Sequence, residues 1–411
     1  MGKYFAELCL VFGSSSSVGL YDRLAKVFLF SAAKLSLMPM DQVEQIIDDT
    51  VAAGTKAQVQ KFYYKYREIA LDCGVKLAPD DNPKKAFAAS QEGEVFGINY
   101  NTVTWTWWLS EEKLGVIVDM LLQLEEGREH TLLFLKRITG KLMAYRRLVP
   151  QGRFHLGQLV KASTSGSNCD MGRIVTVSDW ARYEAWFWRT MLPFCAHRAR
   201  LPDPDFHLPP WTLHAYTDSA GGVPRGWGRG AGAVMEDGWW SYLPWGDVIN
   251  SHRVFEDGVM YRCKMSAWEL VGPLLVLTAG MEKVRDRSLV VPVDNDGSVK
   301  IYKKGWCTSC ILCSTLALAI SEIAAAINCR IEIVQITRCS TRLAEAADAI
   351  SKGDIRKLRS LVPNTSPAPA RVPKVLISWV ANPVGDRKLG EKLLAEMRVA
   401  KNLLGHQTAF I

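Results

Sequence analysis

The sequence predicts an α/β protein, with an α+β segment and helices on the N-terminal side and a sheet-and-helix domain on the C-terminal side. Over residues 211–355, short apolar strands alternate with helical patterns, an order typical of α/β sandwiches. Four prolines within residues 201–210 exclude a continuous helix or a central strand and mark a linker. Between residues 110 and 192, apolar residues recur at helical spacing.

Composition and charge restrict the class of protein. The 411 residues are 48% hydrophobic and 22% charged, which excludes disordered, collagen-like and coiled-coil chains. The excess of Lys and Arg over Asp and Glu gives a formal charge of +8, which permits a polyanionic partner without proving one. No run reaches the roughly 20 apolar residues of a spanning helix, so we expect no membrane partner. The 10 cysteines form no compact framework, which predicts an intracellular protein of the cytoplasm or nucleus.

The sequence pattern of residues 1–108 predicts both helices and strands. The predicted elements are a helix opening at 14–17, a hairpin over 43–54, a helix over 58–73 and strands over 94–109. The apolar positions that recur at helical spacing in the first helix are Leu20, Leu24, Val27 and Phe28. Asp48 and Asp49 separate the two apolar runs of the hairpin, so they are predicted to lie at its turn.

The sequence pattern of the remaining residues predicts three helices, followed by strands that alternate with helices. The predicted elements are helices from 110, 131 and 178, strands within 211–245, a helix from 266, a strand over 288–293, a helix over 305–328, a strand over 330–336 and a helix over 344–350. Ser110 precedes two acids and is a suitable N-cap. A proline-rich break over 363–373 precedes a helical tail.

Four acidic residues beyond the linker are the candidate catalytic and metal-binding residues. Asp218 ends an apolar strand and is followed by small residues, and Glu269 lies on an otherwise apolar helix. Asp294 ends a second apolar strand, and Asp348 lies on a helix of small residues. Any one acid is by default a solvated surface charge, but clustered carboxylates require divalent cations to offset their repulsion.

The segments around these acids resemble a known family. Tyr-Thr-Asp-Ser, Trp-Glu-Leu, Val-Asp-Asn and Ala-Ala-Asp-Ala-Ile-Ser-Lys are similar to the Asp–Glu–Asp–Asp motifs of retroelement ribonuclease H domains. The resemblance implies a ribonuclease H-like α/β domain with a five-stranded mixed sheet. It also implies two Mg²⁺ ions, with Mn²⁺ as a substitute, bridged by Asp218 and ligated further by Glu269, Asp294 and Asp348. The family often has a histidine near the fourth acid, and none occurs here between His252 and His406.

The N-terminal half resembles a reverse transcriptase. Ile-Ile-Asp-Asp at 46–49 is similar to the paired-aspartate metal motif of reverse transcriptases, with Ile where Tyr is usual, and Lys141 and Gly152-Arg153 are similar to the thumb. The Phe-Gly-Ser-Ser-Ser-Ser segment and the Ser-Lys-Gly-Asp sequence ending at Asp354 are most like tyrosine-recombinase (DIRS-type) retrotransposons. The resemblance implies that Asp48 and Asp49 are metal ligands of a polymerase remnant. A plain hairpin turn remains the alternative for this pair, because aspartate favours turns.

One family element is missing from the printed sequence. Reverse transcriptases place the fingers and another metal-binding aspartate before the Phe-Gly segment, whereas Glu7 is the sole acid among residues 1–11. We therefore expect RNA-directed DNA polymerase activity to be incomplete in this chain alone. The missing parts lie in a longer frame or in a partner chain, or the polymerase has decayed.

These resemblances predict an organisation and a function. The predicted parts are a truncated palm over 1–108, thumb or connection helices over 109–200, a linker over 201–210, a ribonuclease H-like domain over 211–355 and a proline-rich break with a helical tail over 356–411. The expected activity is Mg²⁺-dependent endonucleolytic hydrolysis of the RNA strand of RNA–DNA hybrids. The alternatives are a non-catalytic nucleic-acid-binding or scaffold subunit of a ribonucleoprotein, and half of a split polymerase.

Two weaker motifs have alternative interpretations. Cys307, Cys310 and Cys313 have a zinc-like spacing, but on the predicted helix over 305–328 they form one face and favour burial. Arg146-Arg147 and Arg153 suit either phosphate contacts or a solvated face.

Overall fold

A computed structural model describes residues 15–46, 49–75, 77, 90–95, 97–146, 148–149, 151–165, 170–196, 199–200, 212–220, 229–246 and 265–381. The chain divides into two compact units, Met1–Lys113 with Ala196–Asp203, and Leu114–Cys195 with Pro204–Ile411. Both units mix helices and strands, so the predicted fold class is confirmed. The finer division into palm, thumb, linker and nuclease domain stays a prediction. None of the helices in the described ranges is long and apolar enough to cross a bilayer.

The described elements are numbered along the chain. The helices are α1 (Ser15–Ser36), α2 (Lys56–Asp72), α3 (Glu111–Glu126), α4 (Leu132–Tyr145), α5 (Gly157–Ser163), α6 (Asp179–Ala196), α7 (Met265–Ala279), α8 (Met281–Val284), α9 (Asp296–Lys304), α10 (Ile311–Ala326), α11 (Arg342–Ser351), α12 (Ile355–Leu361) and α13 (Lys374–Ala381). The strands are β1 (Val43–Ile46), β2 (Asp49–Ala52), β3 (Glu92–Val95), β4 (Ile98–Asn101), β5 (Thr106–Trp108), β6 (Glu129–Thr131), β7 (Ile174–Thr176), β8 (Ala199–Arg200), β9 (Leu213–Ser219), β10 (Gly230–Met235), β11 (Trp240–Pro244), β12 (Ser288–Val293) and β13 (Arg330–Gln335).

In the first unit, α1 and α2 pack around a small apolar core that includes Leu29, Ala33 and Phe62. The predicted apolar positions of α1 are wrong at Leu24 and Val27, which are 56% and 59% exposed, whereas Phe28 is half-buried. The buried face is built instead from alanines and Leu29, and such small side chains allow the two helices to approach closely.

The predicted hairpin of this unit is confirmed at the level of the backbone. Strands β1 and β2 pair antiparallel, with Ile46 opposite Asp49. Asp49 is therefore the first residue of β2, whereas Asp48 lies outside the described residues. The two acids stay predicted metal ligands of a polymerase remnant.

In the second unit, β9 to β13 form the five-stranded mixed sheet implied by the ribonuclease H resemblance. Its strand order is β11-β10-β9-β12-β13. The pairs β11-β10 and β10-β9 are antiparallel, whereas β9-β12 and β12-β13 are parallel. Helices α7 and α10 supply the apolar core on one face, with Leu274 and Ile320 fully buried. Helix α11 covers the other face, where Ile350 packs near Val234.

Two glycines bring helices unusually close to this sheet. A Cβ at Gly272 of α7 would lie 2.6 Å from the Cβ of Thr217 in β9. A Cβ at Gly232 of β10 would lie 2.7 Å from the Cβ of Ile350 in α11. Larger residues would force both helices away from the sheet. Because these two glycines have no side chain, the helices that carry Glu269 and Asp348 can pack this close to the sheet.

The predicted helix over 305–328 is wrong at its N-terminal end. A separate helix, α9, ends at Lys304 and is capped by Gly305, whose φ of 96° is favourable for glycine. A loop follows, and α10 begins only at Ile311. Cys307 and Cys310 therefore precede the helix, and the predicted cysteine face of one continuous helix does not form.

Candidate metal centre

Asp218 lies on the central strand of the mixed sheet. It is the penultimate residue of β9, pairs with Gly232 of β10 and is only 7% exposed. Ser351 Oγ lies 2.5 Å from Asp218 Oδ2 and donates to it. Burial raises the pKa of Asp218, and the charges of Asp348 and Asp294 add to this effect, whereas the Ser351 hydrogen bond opposes it.

Glu269 faces the same region from α7. Most of its neighbours on this helix are buried apolar residues, and Glu269 itself is 4% exposed. Its Oε2 is buried and has no hydrogen-bond partner among the described residues. Burial first, and then the charges of Asp218 and Asp294, raise the pKa of Glu269 to about 9. A buried carboxyl oxygen without a partner is costly, and a cation beside it would satisfy it.

Asp294 follows the last residue of β12, next to the strand that carries Asp218. The adjacent Asn295 caps α9, because its Oδ1 accepts from the backbone N–H of Ser298 at 3.0 Å. Ser266 Oγ also donates to Asn295 Oδ1, at 3.1 Å, and thereby ties this loop to the start of α7. These contacts fix the backbone of Asp294 relative to the helix of Glu269.

Asp348 approaches the site from α11 and has a different environment. It is 7% exposed, and its Oδ2 accepts from Lys352 Nζ at 2.7 Å. Its Oδ1 accepts from Arg338 Nη2 at 3.1 Å. Burial opposes ionisation, but the hydrogen bonds and charges of Lys352 and Arg338 hold the pKa of Asp348 below its ordinary value.

Three of the four predicted acids converge. One carboxylate oxygen each from Asp218, Glu269 and Asp294 lies within 4.8 Å of the others. Asp348 is not part of this trio, although its helix is connected to Asp218 through Ser351. The carboxylates come from a strand, a helix and a loop far apart in sequence, so only the tertiary fold assembles them.

The trio suits a hard divalent cation. Its ligands are all carboxylate oxygens, the type that Mg²⁺ and Mn²⁺ prefer. The unpartnered Oε2 of Glu269 is one oxygen that a cation would satisfy. A group with these three side chains could therefore hold a metal ion. Burial, and after it the charges of Asp218 and Asp294, raise the pKa of Glu269, and a bound cation would favour its ionised form.

Two residues of this site were not predicted from the sequence. Ser351 lies in the Ala-Ala-Asp-Ala-Ile-Ser-Lys segment, but only the packing of α11 on the sheet brings it into contact with Asp218. Arg338 lies between β13 and α11, and its Nε is 3.6 Å from Asp294 Oδ2. Nothing in its local sequence marks it among the 50 basic residues.

No family model matches the chain, and no curated protein sequence does. Among solved structures, it is similar to one described as the foamy viral protease-reverse transcriptase dRH in complex with double-stranded DNA. The TM-score is 0.33 at 12% identity, and the match covers 78% of this chain and 49% of the other. The chain thus spans about half the length of that protein. A similarity at this level decides nothing about the chemistry of this chain.

Proposed function

We propose that this chain hydrolyses the RNA strand of RNA–DNA hybrids in a reaction that requires Mg²⁺. The convergence of Asp218, Glu269 and Asp294 within 4.8 Å is the observation that carries the proposal. The sheet order around Asp218 supports it, because this order places the ends of β9 and β12 side by side. The formal charge of +8 is compatible with a polyanionic substrate.

In this proposal, each acid has a separate role. Asp218 and Glu269, both nearly inaccessible to water, hold the cation, and Asp294 at 21% side-chain exposure binds it from the open side. Bound divalent cations supply an activated water and stabilise the leaving oxygen of the phosphodiester. Asp348 is the fourth carboxylate, and its use as a ligand requires that Arg338 and Lys352 release it.

Arg338 is suited to contact the substrate. Its side chain is 64% exposed, and it lies beside Asp294 and Asp348. An arginine released from these acids would bind a phosphate oxygen through two N–H groups. Contacts to 2′-hydroxyl groups across the minor groove would distinguish RNA from DNA.

The experiment is a cleavage assay on the intact chain. A hybrid labelled on its RNA strand is incubated with Mg²⁺, alongside double-stranded DNA, double-stranded RNA and single-stranded RNA. We expect internal cleavage of the hybrid RNA only, and loss of this cleavage in Asp218→Asn. Asp237→Asn is the matched control, because Asp237 is an exposed acid of the same unit that pairs with Lys283.

The alternatives give different results. Tight binding of the hybrid without cleavage by either wild type or control would favour a non-catalytic subunit of a ribonucleoprotein. Primer extension that appears only with an added partner chain, and that is lost in Asp49→Asn, would favour half of a split polymerase. Equal cleavage by wild type and Asp218→Asn would indicate a contaminating nuclease and would overturn the proposal.

A further inference from the structure

Helices α11 and α12 present cationic side chains to solvent beside the candidate metal centre. The two helices pack together through buried apolar side chains, among them Ile350 and Leu358. Their solvent-facing side chains therefore belong to one continuous surface. Four exposed cationic residues lie on these helices or in the turn between them, and we call them the basic surface: Arg342, Lys352, Arg356 and Lys357.

Lys352 connects the basic surface to the candidate metal centre. Its Nζ lies 2.7 Å from Asp348 Oδ2, and Ser351 of the same helix donates to Asp218. Arg342 begins α11, so about 15 Å of helix axis separates it from Lys352. One strand of a duplex places a phosphate about every 3.4 Å along its axis, so this length matches about four phosphates. The basic surface is therefore long enough to follow a duplex that leaves the metal centre.

Two of the four cations are free to bind an anion. Lys352 and Lys357 are each paired with one acid of α11, the latter with Glu345 across 2.8 Å. The side chains of Arg342 and Arg356 have no ion-pair or hydrogen-bond partner in the part of the chain that the structure describes. These two guanidinium groups are therefore the members of the basic surface whose charge is not offset.

The positions of the two free arginines do not serve helix stability. Arg342 is the first residue of α11, and Arg356 is the second residue of α12. The N-terminus of a helix is the positive end of its dipole, where an acid is favourable and a cation is not. Asp354 meets this preference at α12, because its Oδ1 accepts from the backbone N–H of Lys357 at 3.0 Å. The arginines therefore require an explanation other than the stability of their helices.

The other helices beside the acidic trio offer fewer free cations. Helix α7 contains no Lys or Arg. Helix α9 contains three lysines, of which Lys300 pairs with Asp296, and Lys304 Nζ lies 4.9 Å from the centroid of the Trp306 ring. Among the described residues of α9, Lys303 is left as the cation that would compete with the basic surface for a polyanion.

We propose that Arg342 and Arg356 bind phosphate groups of the RNA–DNA hybrid beyond the bond that is cleaved. Each guanidinium would donate two N–H groups to one phosphate. Such contacts hold a duplex by charge and position and do not read its base sequence. The inference rests on the proposed function only for the identity of the polyanion, and both arginines lie outside the group that would bind the cation.

The test measures binding by the intact chain in EDTA, so that no divalent cation is present and nothing is cleaved. Fluorescence anisotropy of a labelled RNA–DNA hybrid gives the affinity at several salt concentrations. Arg342→Ala and Arg356→Ala should each weaken binding about three- to tenfold and lower the slope of log affinity against log salt by about one. Arg342→Lys should retain most of the affinity, because it keeps the charge. Binding to double-stranded DNA should weaken to the same extent, because both duplexes carry phosphates.

Arg359→Ala is the control for these variants. Arg359 lies on α12, as Arg356 does, but its Nη2 donates to the Pro367 carbonyl oxygen at 3.3 Å. Its affinity and salt slope should match those of the wild type. Unchanged slopes in both Arg342→Ala and Arg356→Ala, or a loss that appears in Lys303→Ala instead, would overturn the proposal. A loss confined to the hybrid would overturn it as well, because it would indicate contacts to 2′-hydroxyl groups.

The outcomes separate this inference from the proposed function. Salt-dependent binding that both arginine variants weaken, without cleavage in Mg²⁺, would support the basic surface and contradict the proposed hydrolysis. Cleavage in Mg²⁺ by a chain whose arginine variants bind like the wild type would support the hydrolysis and contradict the basic surface.

Discussion

Arg338 Nη2 donates to Asp348 Oδ1 across 3.1 Å, so the fourth acid of the proposed quartet is neutralised by a cationic side chain. Lys352 contacts the other oxygen of the same carboxylate. A divalent cation and these side chains would compete for Asp348, because like charges repel one another at such short range. This competition makes Arg338 a determinant of how strongly the site binds a metal ion.

Arg338→Ala should therefore lower the Mg²⁺ concentration needed for half-maximal binding by about two- to fivefold, the range expected for an exposed ion pair. Titration of Mg²⁺ followed by calorimetry measures this affinity directly, without requiring catalysis. Arg359→Ala is the control, since Arg359 lies on α12 and donates to the Pro367 carbonyl oxygen. Equal affinities in wild type and Arg338→Ala would contradict the competition.

Ser351→Ala should shift the proposed activity toward higher pH. The Ser351 hydroxyl stabilises the ionised form of Asp218, so its loss raises the pKa of Asp218 further above the ordinary value. A hydrogen bond to a charged group contributes about 1.5–3 kcal/mol, which corresponds to about one to two pH units. The acid limb of the pH–rate profile measures the shift.

The control for this variant is Ser360→Ala, since the Ser360 hydroxyl donates to a backbone carbonyl oxygen on the exposed surface of α12. Its pH–rate profile should match that of the wild type. An unshifted acid limb in Ser351→Ala would mean that Ser351 does not set the charge state of Asp218.

Gly232→Ala should destabilise the second unit by about 1–3 kcal/mol, the usual cost of overpacking. Its Cβ would lie 2.7 Å from the Ile350 Cβ and 2.8 Å from the Ser351 backbone nitrogen, so α11 would have to move. Thermal unfolding followed by circular dichroism measures the change. Gly140→Ala is the matched control, because Gly140 lies within α4 with open space around it, and alanine there should add about 1 kcal/mol. A melting temperature unchanged by Gly232→Ala would disprove the close packing.

His155→Phe should make the fold less sensitive to acid. His155 is buried, both of its ring nitrogens lack partners within the described structure, and it stacks on Phe187 with ring centroids 3.5 Å apart. Burial lowers the pKa of His155 from 6.5 to about 3, so its protonation favours the unfolded state. Stability should fall by up to about 1.4 kcal/mol per pH unit as the pH drops below 6.5, down to the folded-state pKa.

Urea unfolding of wild type and variant at several pH values between 7 and 4 tests this expectation. In the variant, the pH dependence of the free energy of unfolding should lack the contribution of His155 and keep the contributions of all other groups. His130→Phe is the control, since His130 is half-buried and stacks on Phe134 in the same unit. Parallel slopes for wild type and His155→Phe would show that another group causes the acid sensitivity.

The sequence was sufficient to predict elements whose signals are local. The two apolar runs around Asp48 and Asp49 predicted a hairpin, and antiparallel pairing of β1 and β2 confirms it. For the hairpin, the alternation is visible within a few neighbouring residues. The resemblance to ribonuclease H motifs, and not a local signal, predicted one site for Asp218, Glu269, Asp294 and Asp348, and the carboxylates of the first three do converge.

Features set by distant contacts were not predictable in this way. Helix α9 was missed because its polar residues and Gly297 follow Asp294-Asn295 and are typical of a turn. The position of Cys307 outside α10 depends on that missed helix and on its glycine cap. Arg338 reaches the site from a loop after β13, and only the packing of β13 and α11 determines which acids it meets.

Gly272 and Gly232 give this site an unusual weakness. Each would place a new methyl group against a neighbouring element, at positions that carry no chemical function themselves. A descendant of this chain could therefore retain every carboxylate and still lose their arrangement, because a single methyl at either glycine would displace the helix behind it. Substitutions that disrupt this site should be sought first at its glycines and only afterwards at its acids.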